Sequence, residues 1–118
     1  MSFRDDVVEV LLDPKIELTY GTFYSQGEDC GCPISELCIR KEIHTREEVR
    51  EAIKHALEEP KQAFDLTLDV AEYYDIPERT VVSTYEYYDS YVTENAPDIY
   101  SISAIVPMAL RKGFAETL

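Results

Sequence analysis

The sequence predicts a mainly α (α+β) fold: a small helical domain with a short N-terminal β-hairpin or extended arm. Three observations carry this expectation. Apolar residues recur at the helical period in several separate stretches, most clearly Val49, Ala52, Ile53, Ala56 and Leu57. Chain-breaking groups separate those stretches: Asp13-Pro14, Pro60, Asp75-Ile76-Pro77 and Asn95-Ala96-Pro97-Asp98. The length of 118 residues, with 45% hydrophobic and 30% charged, suits one domain over 1–118 around one core.

The elements follow in chain order. Phe3 to Leu12 reads as a helix, with Val7, Val8, Leu11 and Leu12 on one face and Ser2 as its cap. Ile16 to Ser25, rich in Tyr, Thr and Phe around Gly21, reads as a strand pair or an extended arm. Gln26 to Cys32 is a turn. Pro33 suits a first helical position, where its missing N–H would be unpaired in any case. Ile34, Leu37, Cys38 and Lys41 follow on that short helix.

Thr45 to Glu59 is the clearest helix. Thr45 and Glu48 form a capping box, and Pro60 closes it. Phe64 to Val70 alternates apolar and polar residues like a strand, but Ala71-Glu72-Tyr73-Tyr74 continues it without a turn residue, so a helix is expected. Glu78 to about Glu94 is a helix with Val81, Tyr85, Tyr88 and Val92 inward. Ile99 to Lys112 is expected as a last helix, kinked at Pro107 and ended by Gly113.

Charge narrows the function classes. There are 24 acids against 11 bases, a net charge of −13. Such a surface opposes approach to nucleic acid or an anionic membrane and attracts a basic one. Gln62 to Leu110 holds nine acids and one base, Arg79. No apolar run is long enough to span a bilayer, and Met1 to Asp6 lacks the pattern of a signal peptide. The 3 cysteines do not suggest a disulfide scaffold. The expected setting is a cytoplasm, that of a host if the source is a virus.

No G-x-S-x-G, P-loop or G-x-G-x-x-G pattern is present, and neither His44 nor His55 has an evident orienting partner, so no enzyme is expected. Cys30, Cys32, Cys38 and His44 form a sufficient set for tetrahedral zinc, although not at the usual C-x-x-C spacing. A metal- or redox-dependent regulatory domain is therefore one alternative. Ala71, Asp75-Ile76-Pro77 and Thr80-Val81-Val82-Ser83 resemble a helix-turn-helix, with Asp75 where a glycine is usual. A transcription regulator is the other alternative, opposed by Glu78, Glu86 and Asp89 on the second helix.

The leading expectation is a small acidic protein-binding or inhibitory protein. Tyr85, Tyr87, Tyr88 and Tyr91 cannot all face inward from one helix, and exposed tyrosine favours binding surfaces. Carboxylates at helical i, i+3 and i+4 positions lie about 5–6 Å apart, close to phosphate spacing on a strand. Glu72, Asp75, Glu78, Glu86, Tyr87, Asp89, Tyr91 and Glu94 are the expected partner-binding residues. The sharpest form is a viral anti-defence protein that mimics nucleic acid and occupies the groove of a basic host nuclease or nucleic-acid-binding protein.

One resemblance bears on source. Thr19-Tyr20-Gly21-Thr22-Phe23, then Cys30-Gly31-Cys32-Pro33-Ile34-Ser35-Glu36-Leu37, resembles a pattern in small uncharacterised phage and bacterial proteins. In these a glycine-centred strand leads through a cysteine pair and proline into a short helix, with a helical second half as at Ala71 to Tyr88. Gly31 between the cysteines departs from the adjacent pair of that pattern. The resemblance implies a virus or mobile element and no activity.

Overall fold

The computed structural model describes residues 2–19, 24–25, 30–58, 66–96 and 105–118. They form six helices: α1 (Phe3–Leu12), α2 (Pro33–Arg40), α3 (Arg46–Glu58), α4 (Leu66–Tyr74), α5 (Glu78–Asn95) and α6 (Met108–Thr117). The fold is mainly helical. Two-residue segments β1 (Tyr24–Ser25) and β2 (Cys30–Gly31) pair antiparallel. The hairpin expected within Ile16 to Ser25 is not shown. Leu18 instead forms an isolated parallel bridge with Gly31, and its carbonyl accepts from the Val106 N–H at 2.8 Å. Gly21 and most of the expected 26–32 turn lie outside the described residues.

Local chemistry explains the helix starts. Ser2 Oγ accepts from the Asp5 N–H at 3.2 Å, so an amide left over at the start of α1 has a partner. At α3 the capping box closes in both directions: the Thr45 N–H donates to Glu48 Oε1 at 2.8 Å, and the Glu48 N–H to Thr45 Oγ1 at 3.1 Å. Pro33 opens α2. The 66–74 stretch is a helix as expected, with Leu66, Val70 and Ala71 buried and Leu68 turned outward. Phe64 and Asp65 lie outside the described residues.

The last helix differs from the expectation. Residues 105–107 are not helical, and α6 begins only after Pro107. Proline disfavours helical geometry in the residue before it, so 107 starts a helix rather than kinking one. Gly113 lies inside α6, which continues to Thr117. The expected start at Ile99 lies outside the described residues.

One apolar cluster joins the elements. Val7, Val10 and Leu11 of α1 meet Ile34, Leu37 and Cys38 of α2, with Val70 of α4 and Val81, Tyr88 and Val92 of α5. Helix α2 packs against both α4 and α5, while α6 lies against α1 and α5. Each fully buried Leu, Val or Phe side chain contributes about 1.5–3 kcal/mol over its exposed state.

Buried polar groups tie the seams. Arg111 of α6 is 4% exposed and donates to the carbonyls of Val10 (2.9 Å), Asp13 (2.8 Å) and Ile16 (2.6 Å). It thereby caps the C-terminal end of α1, where the helix dipole favours a cation. Asp6 is also buried. It accepts from the Tyr74 hydroxyl at 2.6 Å, with the Lys41 ammonium 3.3 Å from its other oxygen. Burial, then this carboxylate, pushes the Tyr74 phenol far above its usual range. Among the described residues no helix is long and apolar enough to cross a membrane.

Candidate partner-binding groove

The site begins at the junction of α4 and α5. Asp75 has φ 54°, in the left-handed region. The Asp75 N–H donates to the Glu72 carbonyl and the Ile76 N–H to the Ala71 carbonyl, the paired bonds of a Schellman ending. Glycine is usual at this position because a Cβ is strained there. The turn forms with aspartate all the same, because Ala71 and Val81 are buried in the angle and half-buried Ile76 packs on them. The end of α2 repeats the device at Glu42, φ 59°, which sequence reasoning missed.

Helix α5 turns Val81, Tyr88 and Val92 into the core, and the buried Tyr88 hydroxyl donates to the Thr19 carbonyl at 3.0 Å. Tyr85 is half-buried against the same cluster. These inward positions agree with the sequence pattern.

The expected partner residues divide between surfaces. Glu72 and Asp75 are exposed at the end of α4. Glu78 is half-buried and accepts from the Thr67 hydroxyl at 2.9 Å, while Asp89 is half-buried one turn beyond Tyr85. Glu86 is exposed. Tyr87, Tyr91 and Glu94 lie together on another flank of α5, which forms one wall of a groove of about 1080 Å³. Phe114, Thr117 and Leu118 of the α6 end form the facing wall. So the structure brings together three of the eight expected residues and places Glu78 and Asp89 away from them.

Tyr87 is 70% exposed at the rim of this groove. Tyr91 lies deeper, its ring centroid 5.8 Å from that of Phe114. A Cβ at Gly113 would overlap the Tyr91 hydroxyl. Glycine inside a helix costs about 1 kcal/mol relative to alanine. Its place in α6 is explained by the tyrosine that lies across it, and no local sequence signal shows this. The rest of the α5 lining is largely hydroxylic, from Thr80, Ser83, Thr84 and Ser90, with Arg79 toward the start of the helix and Glu94 toward its end.

Of the four residues expected as a zinc set, Cys32, Cys38 and His44 have described side chains, and these three do not group as metal ligands. Cys32 is the N-cap of α2 and buried, and burial pushes its thiol up to about 11. Cys38 is buried within α2, and burial, then the Asp69 charge, pushes it up to about 12. His44 is engaged elsewhere: Nε2 lies 2.7 Å from Asp69 Oδ2, and Nδ1 lies 3.5 Å from Glu48 Oε2. This bracket joins the α2–α3 link to α3 and α4. Among the described residues no three His, Cys, Asp or Glu side chains group as metal ligands. The side chains of Cys30 and His55 lie outside the described residues.

Comparison with protein-family models, with curated proteins and with solved structures gave no match.

Proposed function

We propose that the chain is a non-catalytic acidic binding protein that docks a basic protein through α5 and its groove. The observation that carries this reading is Tyr87, 70% exposed on a long open groove, with Glu86 and Glu94 exposed beside it. A large rigid aromatic ring at a concave surface is the usual anchor of a protein interface. The −13 charge selects against anionic partners and speeds encounter with cationic ones. In its sharpest form the protein inhibits a basic host nuclease or nucleic-acid-binding protein by standing in for nucleic acid, as a viral anti-defence protein does, in the cytoplasm of that host.

The test is capture of partners from host lysate by the tagged protein at low and high salt, beside the double variant Glu86→Gln, Glu94→Gln. A basic protein held at low salt, released at high salt and lost by the variant supports the reading. A partner held equally by the variant removes these carboxylates from the interface.

A second reading, a helix-turn-helix regulator, is favoured by one specific observation. The left-handed Asp75 and the buried Ala71 and Val81 supply the backbone and packing that such a motif needs. Two features oppose it. The α6 end walls the outer face of α5, whereas a recognition helix must protrude into a groove of DNA. Arg79 is the one base of α4 and α5, so few phosphate contacts are available. Specific retention of a DNA duplex at physiological salt would establish this reading over the first.

A further inference from the structure

We infer that the groove between α5 and α6 is the seat of a single cationic amphipathic helix from the partner, an inference that rests on the binding-protein reading above. Size is the first argument. From Pro77 to Glu94 the groove follows α5 for about 25 Å at 1.5 Å per residue. The groove holds about 1080 Å³. A drug-sized molecule would leave most of such an open trough uncovered, because small-ligand sites enclose most of their ligand.

Chemistry is the second argument. Tyr87, Tyr91 and Leu118 supply apolar surface for a stripe of aliphatic side chains, over the buried Phe114. Hydroxyls of Thr80 and Ser83 lie along the same trough and serve the polar flank of the incoming helix, while that of Thr84 donates to the Thr80 carbonyl at 2.8 Å. Charge then fixes the sign of that flank. Glu94 lines the groove, and Glu86, outside the lining, is exposed one residue before Tyr87, on a protein of net charge −13. Lysine or arginine beside the stripe meets these carboxylates, whereas acidic residues there would be repelled. Arg79 at the opposite end is the one local exception.

Gly113 gives the inference a specific handle. A methyl group at 113 would overlap the Tyr91 hydroxyl, so the Tyr91 ring, which lines the trough, must shift. Gly113→Ala also favours helix, so α6 is retained while a side chain lining the seat is moved.

The experiment measures fluorescence anisotropy of a labelled synthetic leucine–lysine peptide with leucines at three- and four-residue spacing, titrated with the full chain. A second peptide of identical composition has its leucines scattered off the stripe. A labelled DNA duplex is the third probe. The striped peptide is expected to bind at least about tenfold more tightly than the scattered one, and Tyr87→Ala and Gly113→Ala are each expected to weaken it about tenfold. Circular dichroism of both variants is expected to match the parent, which separates loss of the seat from loss of the fold. Equal binding of both peptides, lost in salt, overturns the helix seat but leaves an acidic binding protein. Unchanged affinity in both variants overturns it too. Binding of neither peptide removes the seat together with the reading beneath it, and preference for the duplex replaces both with the DNA-binding alternative.

Discussion

The α1–α6 seam and the α5 groove use polar groups in opposite ways. At the seam, Arg111 is buried and its guanidinium is spent on three backbone carbonyls of the α1 end. In the groove, Tyr87 and Glu94 project into solvent. A charge enclosed by its own chain serves the fold, because leaving it or its partners unmatched is costly. Polar and aromatic groups left at a concave surface contribute little to stability and remain available to another molecule. The difference teaches which arginine or acid belongs to architecture and which to recognition, and it yields a graded set of expectations.

The largest effect is expected at Arg111. Arg111→Met keeps the apolar stem but leaves the Val10, Asp13 and Ile16 carbonyls without their donor, at a loss of about 3–5 kcal/mol in urea unfolding. A loss under 1 kcal/mol would show that water replaces the guanidinium and that the seam is not sealed. Next is Tyr74→Phe, which strips the buried Asp6 carboxylate of its hydroxyl donor. About 1–3 kcal/mol is expected, by the same unfolding measurement.

A smaller change of opposite sign is expected at the two left-handed acids. Glu42→Gly and Asp75→Gly relieve strain at positive φ, partly offset by the freedom glycine adds to the unfolded chain. A rise in midpoint worth about 0.5–1 kcal/mol each is expected. A fall at Asp75 would mean that its carboxylate has a structural role the helix ending does not explain. The smallest effect is expected in the groove. Tyr87→Ala should alter stability by no more than about 0.5 kcal/mol, and a larger loss would make the rim part of the core after all.

Acid titration extends the comparison. The Lys15 N–H and then Arg40 hold the Asp13 carboxyl below its ordinary range, and the Thr45 N–H does the same for Glu48. A carboxylate lowered in the folded state contributes stability above its unfolded pKa. That contribution disappears as pH falls through the folded value. Urea midpoints should therefore decline below the ordinary carboxylate range, and Asp13→Asn should flatten part of that decline. An identical decline in the variant would assign the acid sensitivity to other groups.

Much of this architecture is written locally. Ser2, Pro33, and the Thr45–Glu48 box announce their helices because each acts within three residues of its own position. The 66–74 helix was legible once Ala71 to Tyr74 outweighed a misleading alternation. What was not legible depends on distant segments. Arg111 meets carbonyls 95 to 101 residues away, and Gly113 is explained by Tyr91 on another helix. His44 finds Asp69 25 residues on. In a spacing of residues such a histidine looks like a metal ligand; in three dimensions it is bracketed by carboxylates. Of the candidate site, the exposed tyrosines followed from helix geometry, but the facing wall of α6 did not, because no pattern in 78–95 specifies what packs beside it.

The Arg111 clasp also governs how the protein comes apart. Lifting α6 away from α1 strands a guanidinium in a half-open apolar seam and uncovers three carbonyls at once, so opening one helix without disturbing the other is disfavoured. Amide hydrogens in α1 and α6 should then exchange with solvent at a common, slow rate, as one cooperative unit drawn from opposite ends of the described chain.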